Sequence, residues 1–151
     1  MNILDGIYRY LQSKTALTDL LGTGDSFKVF PQIVPEQSAS LPYVTYAITD
    51  REDIEHLGGA SNLSDFYISF EIYGSVISDR TNIGTALRNI LHTRQNVVLT
   101  DSNGNTTTLE YASLRKDYQG TKNPPTGTET DIMCRTMNFM ALIRETVPTL
   151  P

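Results

Sequence analysis

One run of nine residues constrains this chain more than any other. From Asp65 to Tyr73, Phe66, Ile68, Phe70 and Ile72 alternate with Tyr67, Ser69, Glu71 and Tyr73. A period of two places the four apolar side chains on one face of an extended strand and the polar set and two tyrosines on the other. Such a strand has one buried face, which a second layer has to cover. Gly74 ends the run.

The cover is legible nearby. Ile83, Ala86, Leu87, Ile90 and Leu91 form an apolar stripe at helical spacing. Ser78 or Asp79 is placed to cap this helix, and Arg80, Arg88, Asn89 and Arg94 fall away from the centre of the stripe. At the N-terminus, Leu4, Ile7, Tyr8 and Leu11 recur on one helical face. A second short turn over 15–21 carries Ala16, Leu17, Leu20 and Leu21, and Gly22 and Gly24 stop it.

Further strands follow from the same pattern. Residues 42–49 alternate with β-prone side chains on both faces, Val44, Tyr46 and Ile48 against Tyr43, Thr45 and Ala47, so both faces are covered. The stretch 27–33 contains Pro31 and is followed by Pro35, which confines it to a sheet edge or a connection. Residues 97–100 and 106–111 flank Asn103 and Gly104, a hairpin turn, with Asp101 placed to bond its own turn backbone. Residues 131–144 fit a helix through Met133, Met137 and Met140, or a strand through Met137, Phe139, Ala141 and Ile143. We read them as a strand, because helix caps are missing and the hairpin needs a partner. The expected fold is α+β: a mainly antiparallel sheet with helices packed on one face, a single domain over 1–147, and a terminal tail at 148–151.

Two stretches read as long loops, 50–64 and 119–130. Loops of this length in a compact domain are usually functional or disordered. They nominate Arg51, Glu52, Asp53, Glu55, His56, Lys122 and Asn123 as partner-binding residues.

Composition narrows function by exclusion. The chain has 151 residues, 39% hydrophobic and 19% charged, which fits a folded domain. A net charge of −5 disfavours a grip on phosphate backbones. The single cysteine, Cys134, excludes an internal disulfide and multi-cysteine zinc sites. No apolar stretch reaches membrane-spanning length, and the first twelve residues, with Asp5 among them, do not read as a signal peptide. The expected setting is a reducing cytoplasm, with no membrane partner.

Catalytic patterns are sparse. His56 with Asp53 and Glu55 offers a weak metal set, which reads better as a solvated charged loop. His92 lies near a helix end. Arg135 beside Cys134 could activate a thiol, but a small buried side chain on a strand is the plainer reading. No zinc-protease, hydrolase-elbow or phosphate-loop motif occurs. We therefore expect no enzyme activity, no catalytic residue, no metal and no cofactor. Tyrosine is common in protein interfaces, and Tyr43, Tyr67, Tyr73 and Tyr111, on strand faces opposite the core, are candidates for contacts between subunits.

The order of these motifs resembles a known family. A helix leads to Ala16, Leu17, Leu20, Leu21 and Gly22. Val29, Phe30, Pro31 and Pro35 follow, then Leu41, Pro42, Tyr43, Val44, Thr45 and Tyr46. The alternating strand ends in Phe70, Glu71, Ile72, Tyr73 and Gly74, and a helix carries Leu87 to Leu91. This is similar to the tail-completion, or tail-terminator, proteins of long-tailed phages with non-contractile tails, over about residues 1–95. The resemblance implies a structural virion protein: a ring, typically a hexamer, that caps the tail tube and joins it to the head connector. It carries no catalytic residues to transfer. The implied partners are copies of the chain itself, the tail tube protein and a head connector or stopper protein. DNA would pass through the pore without specific binding, and six copies at −5 each would help repel it from the wall. The implied location is the head–tail junction of the virion, with assembly in the host cytoplasm. Two alternatives stand beside it: a head-completion adaptor or stopper of the neck, and a small enzyme using Cys134 or His56.

Overall fold

The computed structural model describes residues 2–31, 40–56, 59–74, 76–122 and 132–144. Helices α1 (Ile3–Gln12) and α2 (Thr15–Leu21) come first, then a short 3-10 turn (Gly24–Ser26). Strands β1 (Val29–Pro31), β2 (Tyr43–His56) and β3 (Gly59–Tyr73) follow. Helix α3 (Ile77–Leu91) leads to β4 (Gln95–Thr100), β5 (Thr106–Lys122) and β6 (Ile132–Arg144). The expected tail at 148–151 and the proline at 35 lie outside the described residues.

The six strands form one sheet in the order β1-β2-β3-β6-β5-β4. Among the described residues β1 pairs with β2 in parallel and the other pairings are antiparallel. The α+β class with a mainly antiparallel sheet follows from this. The stretch 131–144 is strand wherever it is described, and it sits between β3 and β5 rather than at an edge. Its Met137, Phe139, Ala141 and Ile143 are all buried, as strand periodicity required.

The core lies on the face that carries Phe66, Ile68, Phe70 and Ile72, each 4% exposed or less. Phe70 is its centre. Its ring stacks on Tyr46 at 5.6 Å and meets Phe139 edge-on at 5.6 Å. Ile7 and Leu11 of α1, Leu17 and Leu21 of α2, and Ile83, Leu87 and Leu91 of α3 join the same buried cluster. The helices are short and amphipathic, so this packing rather than intrinsic propensity holds them. The Tyr46 hydroxyl donates to the Leu4 carbonyl at 2.5 Å and ties α1 to the sheet.

The β4–β5 turn forms as the Asn-Gly pair predicts, with Gly104 at φ 81°. Asp101 Oδ1 accepts from the amides of Asn103 and Asn105, each at 3.0 Å. Its Oδ2 accepts from the Asn2 amide at 3.1 Å, and Asp5 in turn accepts from the Ser102 amide at 2.6 Å. Turn and helix terminus therefore clasp one another. These donors, Asn2 first, hold the Asp101 carboxyl below its usual range against the opposing effect of burial.

Three local expectations need correction. Residues 50–56 and 59–64 are not a loop but the arms of a β2–β3 hairpin. Charge on both faces hides the alternation there, while the antiparallel ladder to β3 supplies the backbone bonds that extend the strand. Helix α3 begins at Ile77 with Val76 at its cap and no side-chain cap bond, so neither Ser78 nor Asp79 caps it. Asp79 lies inside the first turn, where its charge suits the helix dipole. Arg80 does not face outward: it is 3% exposed. The helix starts so soon after β3 that the Gly74 carbonyl is within reach, and Arg80 Nη1 donates to it at 2.6 Å.

Candidate partner-binding surfaces

The described parts of the two stretches read as loops lie at opposite ends of the sheet. At one end Tyr43, Tyr73 and Cys134 stand in line across β2, β3 and β6. Beyond that line β5 and β6 continue as a two-stranded extension to the pair Lys122 and Ile132. Residues 119–122 thus belong to β5, and Asn123 with the rest of that stretch lies outside the described residues. At the other end, the described residues of β6 reach β3 as far as the pair Leu63 and Arg144. The β2–β3 hairpin runs on past it to the pair His56 and Gly59, about 13 Å further at ~3.3 Å per residue. Two-stranded ribbons have little core of their own and are marginal in water without a partner.

The nominated charges on the β2–β3 hairpin have unequal freedom. Arg51 and Asp53 face the core side of the sheet. Arg51 Nε bridges Asp53 Oδ1 at 3.2 Å, and its guanidinium lies 5.1 Å from the Phe66 ring centre. The Ser64 hydroxyl donates to Asp53 Oδ1 at 2.7 Å. Those contacts, Ser64 before Arg51, hold the Asp53 carboxyl below its usual range. Asp53 is exposed yet tied into the hairpin, so it is not the free loop charge that the sequence suggests. Asp50 and Glu52 point to the opposite, open face, where they pair with Tyr67 and Asp65 across the ladder. Glu55 and His56 take strand positions opposite Ala60 and Gly59.

The four tyrosines divide. Tyr43 and Tyr73 are 1% and 2% exposed. Their rings stack at 5.1 Å, with Phe30 edge-on to Tyr43 at 6.3 Å and Cys134 alongside. A ring already covered within the protomer offers no surface to a neighbour, so these two form a small second core on the reverse of the sheet. The Tyr73 hydroxyl donates to Glu71 Oε2 at 2.7 Å, and burial together with that carboxylate pushes its pKa up. Tyr67 and Tyr111 are half-buried on the open face and remain candidates for contacts between subunits.

Of the two residues behind an enzymatic alternative, the side chain of His56 lies outside the described ones, as does that of Glu55 beside it. Cys134 is 1% exposed and points to the open-face side. Its neighbour Arg135 points to the core side, as consecutive strand residues do. There Arg135 holds Asp117 through two bonds, Nε to Oδ1 at 2.8 Å and Nη2 to Oδ2 at 2.6 Å, and Nη1 donates to the Arg80 carbonyl at 3.3 Å. His92 Nδ1 accepts from the Leu114 amide at 2.9 Å, which fixes the ring at the end of α3. Among the described residues no three His, Cys, Asp or Glu side chains gather to hold a metal, and no helix is long and apolar enough to cross a membrane.

Sequence reasoning missed the link between Gly84 and Arg135. A Cβ on Gly84 would stand 2.1 Å from Arg135 Nη1, so the absence of a side chain lets the guanidinium pass beneath α3. A glycine in the middle of an amphipathic helix was the available signal.

No protein-family model matches this sequence, and no curated protein does. Among solved structures, the chain is similar to one from a particle described as the virion of native gene transfer agent, with 19% sequence identity. The likeness covers 95% of each chain at a TM-score of 0.66. At that identity it is the fold that the two chains share.

Proposed function

We propose that this protein is a structural component of a phage-like particle, a tail terminator that caps the tail tube as a ring, typically of six copies, and joins it to the head connector or stopper. The observation that carries this reading is geometric: two-stranded extensions leave opposite ends of one sheet, so a single subunit can touch a layer above and a layer below. A tail tube grows by head-to-tail addition and has no stop of its own, so a cap needs one end that accepts the tube and one that refuses another tube subunit. Two chemically different hairpin ends supply that asymmetry. The fold shared with a virion chain supports a structural role, and the motif order from the N-terminal helix to Leu91 supports the terminator family in particular.

The test is a particle preparation made without this protein. The expected result is heads and tails left unjoined, with tails of uncontrolled length. Tails of normal length that merely lack heads would favour the adaptor or stopper of the neck instead. Normal infectious particles would end both readings.

A further inference from the structure

The charges that pair within the chain leave a remainder, and that remainder is separated across the sheet. On β2 and β3, Asp50, Glu52 and Asp65 have no cation at ion-pair distance among the described residues. Glu52 stands directly opposite Asp65, and Asp50 opposite Tyr67. Like charges placed opposite each other in a ladder repel. The Tyr67 hydroxyl registers the crowding: Glu52, then burial, then Asp65 and Asp50 push its pKa up, and only Arg115 opposes them.

The other flank carries the reverse charge. Arg94 and Lys116 are exposed and have no carboxylate partner among the described residues; Arg94 donates to the Asn89 carbonyl at 3.2 Å. Arg88 feels Asp117, but Arg135 already holds that carboxylate. The surface hollow at the end of α3, between Arg88 and Arg94, has no carboxylate in its lining. β3, β6 and β5 separate β2 from β4. From β2 to β4 four strand spacings come to about 19 Å, and from Asp65 on β3 to Lys116 on β5 two spacings with a stagger of four residues come to about 16 Å, roughly two screening lengths at physiological salt in both cases. The acid flank and the Arg94 flank therefore do little to neutralise each other inside one protomer.

We propose that these two flanks meet between copies: the carboxylates Asp50, Glu52 and Asp65 of one protomer dock on Arg88, Arg94 and Lys116 of the next. The proposal rests on the ring reading above and names its interface. The two patches are different surfaces at opposite flanks of the sheet, so the contact is head-to-tail, the type that closes into a ring when the rotation allows. Tyr67, half-buried among the carboxylates, supplies flat contact area at their centre.

The experiment uses the full chain, with native mass spectrometry and sedimentation at low and high salt. The wild-type chain should form closed rings that loosen as salt rises. Glu52→Lys with Asp65→Lys should give monomers, and so should Arg94→Glu with Lys116→Glu, each with an unchanged circular dichroism spectrum. Mixing the two charge-reversed chains should restore rings with an even number of copies, because each reversed flank then faces its opposite. Rings that persist in both variants would overturn the flank assignment and leave the ring reading standing. Loss of rings with no rescue on mixing would also overturn it, since charge would not be what joins the copies. A wild-type chain that stays monomeric at every salt would overturn the interface and the ring reading together.

Discussion

Phe70 and Glu71 are neighbours on β3 and serve opposite ends. Phe70 is fully covered, between Tyr46 and Phe139. Glu71 lies on the reverse face, half-buried, where it accepts from the Tyr73 hydroxyl. The core face is uniform along the strand: Phe66 to Ile72 are all buried. The reverse face is graded. At the Tyr73 end it is a closed aromatic cluster, and towards Asp65 it opens into tyrosine and carboxylate. One strand thus carries the protomer's stability on one side and, at one end of the other side, a surface free for partners. Uniform burial yields a large stabilisation that no partner can use. A graded face leaves polar groups that water still reaches at the Asp65 end.

The strongest test of that contrast is Phe70→Ala. It should lower stability by about 3–5 kcal/mol, read from denaturant midpoints, because the cavity opens where three rings meet. A loss below about 1 kcal/mol would mean that the core is centred elsewhere.

The next effect is polar. Asp117→Asn should cost about 1–3 kcal/mol, since a half-buried guanidinium loses its charge-assisted partner. Gly84→Ala forces the same guanidinium aside, so it should be destabilising although alanine favours helix by about 1 kcal/mol. The two substitutions together should cost clearly less than their sum, because both remove one interaction. Strict additivity would mean that α3 shifts as a body instead of displacing Arg135.

A pH titration separates the paired carboxylates from the open-face ones. Arg135 holds the Asp117 carboxyl below its usual range, and the turn amides do the same for Asp101. A carboxyl whose folded pKa is depressed adds stability above its unfolded value and loses it as pH falls through the folded one. Stability should therefore be flat near neutrality and drop below about pH 4. Asp117→Asn should flatten part of that drop. An unchanged acid profile in the variant would remove Asp117 from the account.

The smallest effect is expected on the open face. Glu52→Gln should change stability by no more than about 0.5 kcal/mol, in the favourable direction if the repulsion with Asp65 matters. A large loss would place Glu52 in the fold rather than at a contact surface.

Much of the architecture was legible in residue order. The alternation of 65–73 and the stripe from Ile83 to Leu91 follow from local period, which depends only on backbone geometry, and the Asn-Gly turn from turn chemistry; at 131–144 the period fitted helix and strand alike, and missing caps and the hairpin's need of a partner decided for strand. The proposed contact surface was legible in part. Residues 50–64 stood out for charge and length, yet their strand character was hidden. Polar side chains on both faces erase the period, and a ladder bond depends on a partner strand rather than on the side chain. Tyr67 and Tyr111 kept the open-face positions that alternation assigned, whereas Tyr43 and Tyr73 did not stay open. Phe30 and Cys134, distant in sequence, close over them.

By itself, then, the sequence determined which residues form strands and helices wherever apolar period and turn chemistry are strong, and which face of β3 is buried. Tertiary structure alone decided four things: that β6 lies between β3 and β5, that Arg135 passes under Gly84 to Asp117, that Arg80 folds inward to Gly74, and that the β2–β3 and β5–β6 pairs extend at opposite ends of the sheet. The physical reason is range. Period and caps act over a few residues, whereas strand order, ion pairing and the separation of charge across a sheet arise from contacts between segments tens of residues apart.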